Sequence, residues 1–501
     1  MVHAPASVAA GEIAVFAFSR GVSLVLCDDL RTMADTAAEI SPSEATEQHR
    51  LRRQLGLRDL VLAQVLCVVG SMWVGVAAGL GRAQAVTWVA AMILFYFPMA
   101  AVVVVLNRVM PLEGGLYVWA HRAFGDLGGF LTAWNLWVYG VAVTASILYA
   151  IPTELSYLIG PAAAWLPENH AASLAIVAVI VALLTLAAVR GLELGKWIHN
   201  IGGMAMMTVF LGLILLPVWG LWQHRITRGM EFAAVMPPMN LRSMALFGQM
   251  LVGALSGLEY IAIFAGESRQ PARSIARSIW IASPIICLMF ILGTSSVEAF
   301  VKPGHIDFIA PIPQTLRIAL GNSGVANVVA MAAILMLQLR LLGAASYLLT
   351  GVTRLPMTVG WDRLLPEWFT RLDARTRMPV NSIWCTSGLV LLLIVLGSVG
   401  VHAQEAFQVL SNASMTHYEL TYMAMFAIPI VGAAALRDAL PGWLKWVAGM
   451  GFCAALYAFL ISAYPFVDVV NPMAYAGKIL GTVLLSNLIA VGFYVARRRA
   501  G

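Results

Sequence analysis

Charge is what this chain has least of. Only 11% of its 501 residues are Asp, Glu, Lys or Arg, against about 25% in soluble domains. Hydrophobic residues make up 60% and are spread over the whole length. One large soluble core is therefore excluded, because many apolar runs reach roughly 18 or more nearly uncharged residues, enough to cross a bilayer. Cysteine is also scarce. Cys27, Cys67, Cys287, Cys385 and Cys453 stand far apart, so they form no disulfide framework and show no metal-ligand spacing; singly, in apolar runs, they read as small hydrophobes. No P-loop occurs, which excludes ATP-driven transport by this chain alone. The net charge of +6 comes from basic residues scattered among loops without an interleaved aromatic patch, so nucleic acid is not an expected partner. A signal peptide's ordered regions are missing from the first residues.

What is present is a series of long apolar runs. Twelve membrane spans are expected, at 58–80, 85–109, 125–150, 171–189, 197–221, 243–266, 278–300, 323–350, 380–400, 405–431, 443–463 and 474–496. Residues 1–50 precede them as a polar segment that reads as cytoplasmic and disordered; its stretch 13–27 is short and interrupted by Arg20, and Met33 offers an alternative start. With the N-terminus inside, 23 Lys and Arg residues fall on inner segments and 7 on outer ones, with Arg340 inside a span. That bias places both termini in the cytoplasm of a multi-pass cell-membrane protein. The outer loops 224–242 and 302–317 can cap an external vestibule, and the basic inner loop 354–379 faces lipid phosphates. Trp88, Trp119 and Trp222 lie near span ends and read as interfacial anchors.

One stretch, 253–273, stands out. Glu259 sits near the middle of an apolar run, two residues after Gly257, and a charged, proline-stopped loop follows, with Glu267, Arg269 and Arg273. A charged side chain at the bilayer centre costs about 2.5–3.5 kcal/mol, so such a residue faces a cavity or a partner. Span 1 is weakened in the corresponding place by Gly70, Gly75, Gly79 and Gly81. Single glycines commonly serve close packing. Two glycine-interrupted spans, five spans apart, point instead to discontinuous helices around a midplane site. Their half-helix N-termini offer N–H groups to a carboxylate, and the unwound carbonyls can take an ammonium. Glu259, Arg340 and Glu419 fall near mid-span, with His417 close to Glu419. Two readings stand: a buried ion pair, Arg340 with Glu419 or Glu259, or a cluster that binds substrate charge or carries a coupled proton. The sequon at Asn412 and Ser414 lies inside a span and reads as incidental.

Several motifs together carry a resemblance. They are Gly70-Ser71-Met72 with its basic lead-in; Pro111-Leu112-Glu113-Gly114-Gly115 through Trp119, with Gly125-Asp126-Leu127-Gly128-Gly129; Ser256-Gly257-Leu258-Glu259 with Gly266-Glu267 to Arg273; and Arg354 to Gly360, Leu364-Leu365-Pro366 and Met378-Pro379. In order and spacing the chain resembles the amino acid–polyamine–organocation (APC) superfamily over about residues 50–435. The resemblance implies an all-α polytopic membrane protein: a 5+5 inverted repeat (LeuT-like) at 51–435, with helices 1 and 6 discontinuous, plus two peripheral helices and a basic tail at 436–501. It implies secondary transport of amino acids, or of polyamines and related organic amines, by alternating access. Carried over, Val69, Gly70, Ser71 and Met72 meet the substrate carboxylate; Ser256, Gly257 and Leu258, with Glu259 beside them, meet the amino group; Val141 and Thr144 line the pocket; Tyr260 or Phe264 gates it. Met72 stands where the family has a second glycine, and bulky Trp73 follows. The helix-5 stretch Gly202-Gly203-Met204 lacks the lysine that replaces sodium in some proton-coupled relatives, and Lys196 lies at the cytoplasmic end instead. Coupling to H+ or Na+ is open at this point, no cofactor or metal is expected, and the carrier is a monomer or a homodimer. A channel lacks its pore signature, a sensor its soluble domain, and a membrane-embedded enzyme its catalytic cluster.

Overall fold

The computed structural model describes residues 57, 61, 64, 65, 68–110, 115–190, 192–226, 235–258, 271–357, 365–374, 376 and 378–500, with backbone only at 192–200, 271–276, 303, 435 and 497–500. The chain divides after Arg52, and every described residue belongs to the unit 53–501. Among the described residues all regular structure is helical. Nine helices there are long and apolar enough to cross a membrane, so the chain is a multi-pass membrane protein.

The helices follow in order. α1 is Ser71–Ala78, α2 is Gly81–Val109, α3 is Gly115–Ile159, α4 is His170–Arg190 and α5 is Leu192–Trp222. α6 is Leu241–Gln249, and α7 is Pro271–Phe300. The short α8, Pro311–Leu320, precedes α9, Gly324–Arg354. α10 is Val380–Ser398, α11 is Ala403–Val431, α12 is Leu444–Ile461 and α13 is Pro472–Ala500. Runs of Ala, Leu, Val and Ile in a solvent without competing hydrogen bonds leave the helix as the structure that satisfies every backbone group within one segment.

The exceptions to regularity are local and have causes. α2 widens into a π turn at Met92–Tyr96, just before Pro98. That proline lacks an N–H, and its ring crowds the carbonyl four residues back, so one wider turn relieves the clash. α3 is two helices joined at Gly125, whose φ of 75° and ψ of −170° only glycine adopts readily. His121 Nε2 and Asp126 Oδ1, 2.8 Å apart, bridge this joint.

α3 and α11 run side by side through the middle of the unit, and α9 packs on both α3 and α5. α11 differs from its neighbours in being polar yet buried along most of its length, from Ala403 to Glu419. That polarity keeps it out of the apolar set although it spans 29 residues. α4 and α13 instead turn Val179, Leu183, Leu484 and Leu488 outward, which is the arrangement of helices that meet lipid.

Two of the three expected interfacial tryptophans are core residues. Trp88 is fully buried, stacked on Phe290 with centroids 4.2 Å apart, and donates to Thr294 Oγ1 at 3.1 Å. Trp119 is buried and donates to the Met110 carbonyl at 3.2 Å. A hydrogen-bond partner inside the bundle removes the need for water that draws an indole to the interface. Trp222 is 71% exposed, in keeping with an anchor.

Candidate functional site

The backbone is open at two places. Before α1, Val69 and Gly70 leave the helical path. Gly70 has φ −108° and ψ 139° and begins α1 without a side-chain cap, so first-turn N–H groups of α1 point into the gap. After α6 the helix widens into a π turn at Met250–Ala254 and then stops. Ser256 and Gly257 are non-helical, and Gly257 has φ 109°, a conformation that only glycine takes without strain. Its N–H donates to the Tyr422 hydroxyl of α11 at 3.0 Å.

Trp73 joins the two openings. A Cβ on Gly70 would stand 2.6 Å from Trp73 Cδ1, and a Cβ on Gly253 would fall inside the far edge of the same ring. Both glycines are therefore needed to seat this one indole, and the bulk that follows Met72 is the piece that packs α1 against the π turn. Val69, Ser71, Ser256 and Leu258 are all buried, so both openings are shut off from water in this conformation.

Charge reaches the first opening from α9. Arg340 Nη2 donates to Ser71 Oγ at 2.7 Å, while Arg340 Nε is buried with no partner. Two small residues let α5 approach here: a Cβ on Gly202 would lie 3.3 Å from Arg340 Cα and 3.4 Å from Gly343 Cα. Among the described acids, Glu154 of α3 interacts electrostatically with Arg340. Glu154 is 1% exposed, and its Oε2 has no hydrogen-bond partner. The expected span 125–150 stops short of this residue; α3 in fact runs through Pro152 to Ile159. The apolar Leu155, Leu158 and Ile159 beyond the proline were the available signal.

The remaining site candidates separate. Glu419 is buried on α11 with Oε2 unpartnered. His417 is spoken for: Nδ1 lies 2.7 Å from the Ala413 carbonyl and Nε2 lies 2.6 Å from Ser486 Oγ of α13, so it ties α11 to the last helix. Thr144 is buried, with its hydroxyl donating to the Gly140 carbonyl at 2.7 Å. Val141 packs in the cluster that holds Leu341 and Ala345 of α9. Glu259, Tyr260 and Phe264 lie outside the described residues. Asn412 is buried and donates to the Ser462 carbonyl and the Tyr475 hydroxyl, both at 2.7 Å, which leaves the sequon inaccessible.

A cleft adjoins the first opening. α1 lines it with Met72, Trp73 and Val76, and α11 with Gln404, Gln408 and Asn412 among others. The three amides recur every four residues, one helical face; that spacing was visible in the sequence and is the signal for a polar stripe within a span. At its rim Asp307 ties three elements together. It accepts from Tyr157 Oη of α3 at 3.0 Å, from Gln404 Nε2 of α11 at 2.5 Å and from the Ile309 N–H at 2.9 Å. The cleft thus lies beside the first backbone opening and is closed at its rim by these contacts.

The chain is 25% identical over 430 residues to an uncharacterized transporter of Legionella pneumophila, covering 83% of this chain and 90% of that protein. It is 22% identical over 377 residues to a probable agmatine/putrescine antiporter of Lactococcus lactis, covering 75% of this chain and 78% of that one. With the lysine-specific permease of Escherichia coli it shares 25% identity over 389 residues, 72% of this chain and 76% of the relative. A family model described as amino acid permease matches residues 60–485, and the chain is a membrane transporter that belongs to this family, within the amino acid–polyamine–organocation superfamily.

Proposed function

We propose that this transporter moves amino acids across the cell membrane by alternating access. The observation that carries the reading is the pair of backbone openings at Val69–Gly70 and Ser256–Gly257, with one indole packed between Gly70 and Gly253 of the π turn before the second. In this reading the chain has twelve membrane helices. The first ten form two inverted five-helix repeats, helices 1 and 6 are discontinuous, and both termini are cytoplasmic. The N–H groups at Gly70, Ser71 and Met72 receive the substrate carboxylate, assisted by the α1 dipole and by the Arg340 guanidinium beside Ser71. Carbonyl groups at Ser256 and Leu258 take the ammonium; the Gly257 N–H is already held by Tyr422. Val141 and Thr144 back the pocket from α3, and Tyr260 or Phe264 gates it.

A fixed guanidinium next to the opening repels a sodium ion at the same place. The coupling ion is therefore a proton, with the buried acids Glu154 and Glu419 as its carriers. Organic amines are the second reading, favoured by the antiporter relative whose name gives agmatine and putrescine. Reconstitution into proteoliposomes tests both: saturable counterflow of a labelled amino acid is expected, driven by an inward proton gradient and indifferent to sodium. Exchange of putrescine but of no amino acid selects the second reading. Sodium-dependent uptake without a response to the proton gradient rules out the coupling assignment.

A further inference from the structure

The cleft between α1 and α11 holds buried polar atoms that no described residue uses. Gln408 is 2% exposed, and neither its Oε1 nor its Nε2 has a partner. Asn412 is 1% exposed; its Nδ2 is committed to Ser462 and Tyr475, and its Oδ1 is left over. Gln404 gives its Nε2 to Asp307, and its Oε1 is left over as well. Buried amides are ordinarily satisfied, and several in one place that meet no described protein group call for water or a ligand group to meet them. Aromatic faces of Trp73 and Phe407 close the same space. Among the described residues, no charged side chain lines it.

We propose that this cleft is a recognition subsite for an uncharged hydrogen-bonding group of the substrate, a carboxamide or a hydroxyl. The proposal rests on the carrier reading and names its substrate class. The chemistry is selective in three ways. Three unmet acceptors and one unmet donor suit a group that brings both N–H or O–H and a carbonyl or hydroxyl oxygen. A carboxylate would face the acceptor oxygens of Gln404, Gln408 and Asn412. An ammonium would find oxygens but no countercharge on the lining, and would leave Gln408 Nε2 unmet. Position agrees, because Met72 and Trp73, which line the cleft, follow directly on Ser71. In this conformation the cleft has room for about one water molecule, so a substrate held at the opening by its carboxylate reaches the amides with its side chain when α1 and α11 part.

The test is counterflow in proteoliposomes of the full-length protein with labelled glutamine, asparagine, threonine, norleucine, glutamate, lysine and putrescine. Glutamine, asparagine or threonine should exchange at least about tenfold better than glutamate, lysine or putrescine, the discrimination expected when buried polar groups are otherwise left unpaired. Gln408→Leu should shift preference toward norleucine, and Gln408→Glu toward lysine. Lysine or putrescine exchanging as well as the neutral set in the wild type overturns the subsite while leaving the carrier intact. So does an unchanged rank order in both variants. Saturable exchange of none of the seven compounds removes the carrier reading itself, and the subsite with it.

Discussion

Trp73 shows how one side chain can dictate two backbone positions. Neither Gly70 nor Gly253 tolerates a Cβ against its ring, so overpacking should dominate any substitution there. Gly253→Ala is expected to lower stability by about 1–3 kcal/mol, read as a drop in thermal unfolding temperature of the purified protein. Adding Trp73→Leu should restore part of it; no recovery in the double variant would mean that the indole is not the obstacle. Arg340 and Glu154 are linked in a different way, through charge. Removing the guanidinium alone by Arg340→Met removes the donor to Ser71 Oγ and the charge that acts on Glu154, and should cost about 1.5–3 kcal/mol. Combining it with Glu154→Gln should recover at least half, and additive losses would show that the two residues do not act on each other. The sequence revealed Arg340 as a mid-span charge but did not single out Glu154, which lies beyond the expected span 125–150; Glu259, one of its expected partners, is outside the described residues. The sequence placed Trp88 and Trp119 at the interface because position along a run says nothing about which face of the helix is turned inward.

At the scale of elements, long apolar runs were legible because their signal is additive over twenty residues. The opening before α1 was legible too, from several glycines clustered in one run, since a single glycine there more often serves close packing. α11 was legible as a long helical run, but its amide stripe at Gln404, Gln408 and Asn412 was not, although the four-residue spacing lay in plain view. What no local pattern announces is how a connecting segment docks. α8 is held to the end of α3 by Arg317, whose Nε donates to the Tyr157 carbonyl at 2.7 Å, Nη2 to the Leu158 carbonyl at 2.8 Å and Nη1 to Asn327 Oδ1 at 2.6 Å. Pro311, at the start of α8, occupies the space that a Cβ on Gly75 of α1 would need. α8 is thus latched to α3 on one side and rests on α1 on the other. Arg317→Ala removes every one of those donors at once. Backbone amides of 311–320 should then exchange with deuterium at least about tenfold faster, while those of α12 stay unchanged. Equal protection in wild type and variant would show that packing alone holds α8 in place.

For the whole molecule, the decisive physical signal is an asymmetry between loops. Two sites on segments of opposite assignment make it testable. Met239, 86% exposed, lies on the connection before α6. Trp368, 56% exposed, lies on the connection between α9 and α10. The excess of arginine on the second connection is the ground for expecting it in the cytoplasm, where the membrane potential and anionic lipid favour basic loops. In a variant whose five cysteines are replaced by alanine or serine, Met239→Cys should react with a membrane-impermeant maleimide on intact bacteria. Trp368→Cys should react only after permeabilisation. The reverse pattern would place both termini outside and turn the cleft beside α11 toward the cytoplasm. Labelling of both sites on intact cells would mean that an even number of helices separates them, at odds with the three crossings expected from α6, α7 and α9. The same two positions also report the transport cycle, because Gln404 and Asp307 close the cleft on the Met239 side. Substrate outside that opens this side should leave the reactivity of Trp368→Cys in permeabilised cells unchanged or lower, since in alternating access the two sides are not open together.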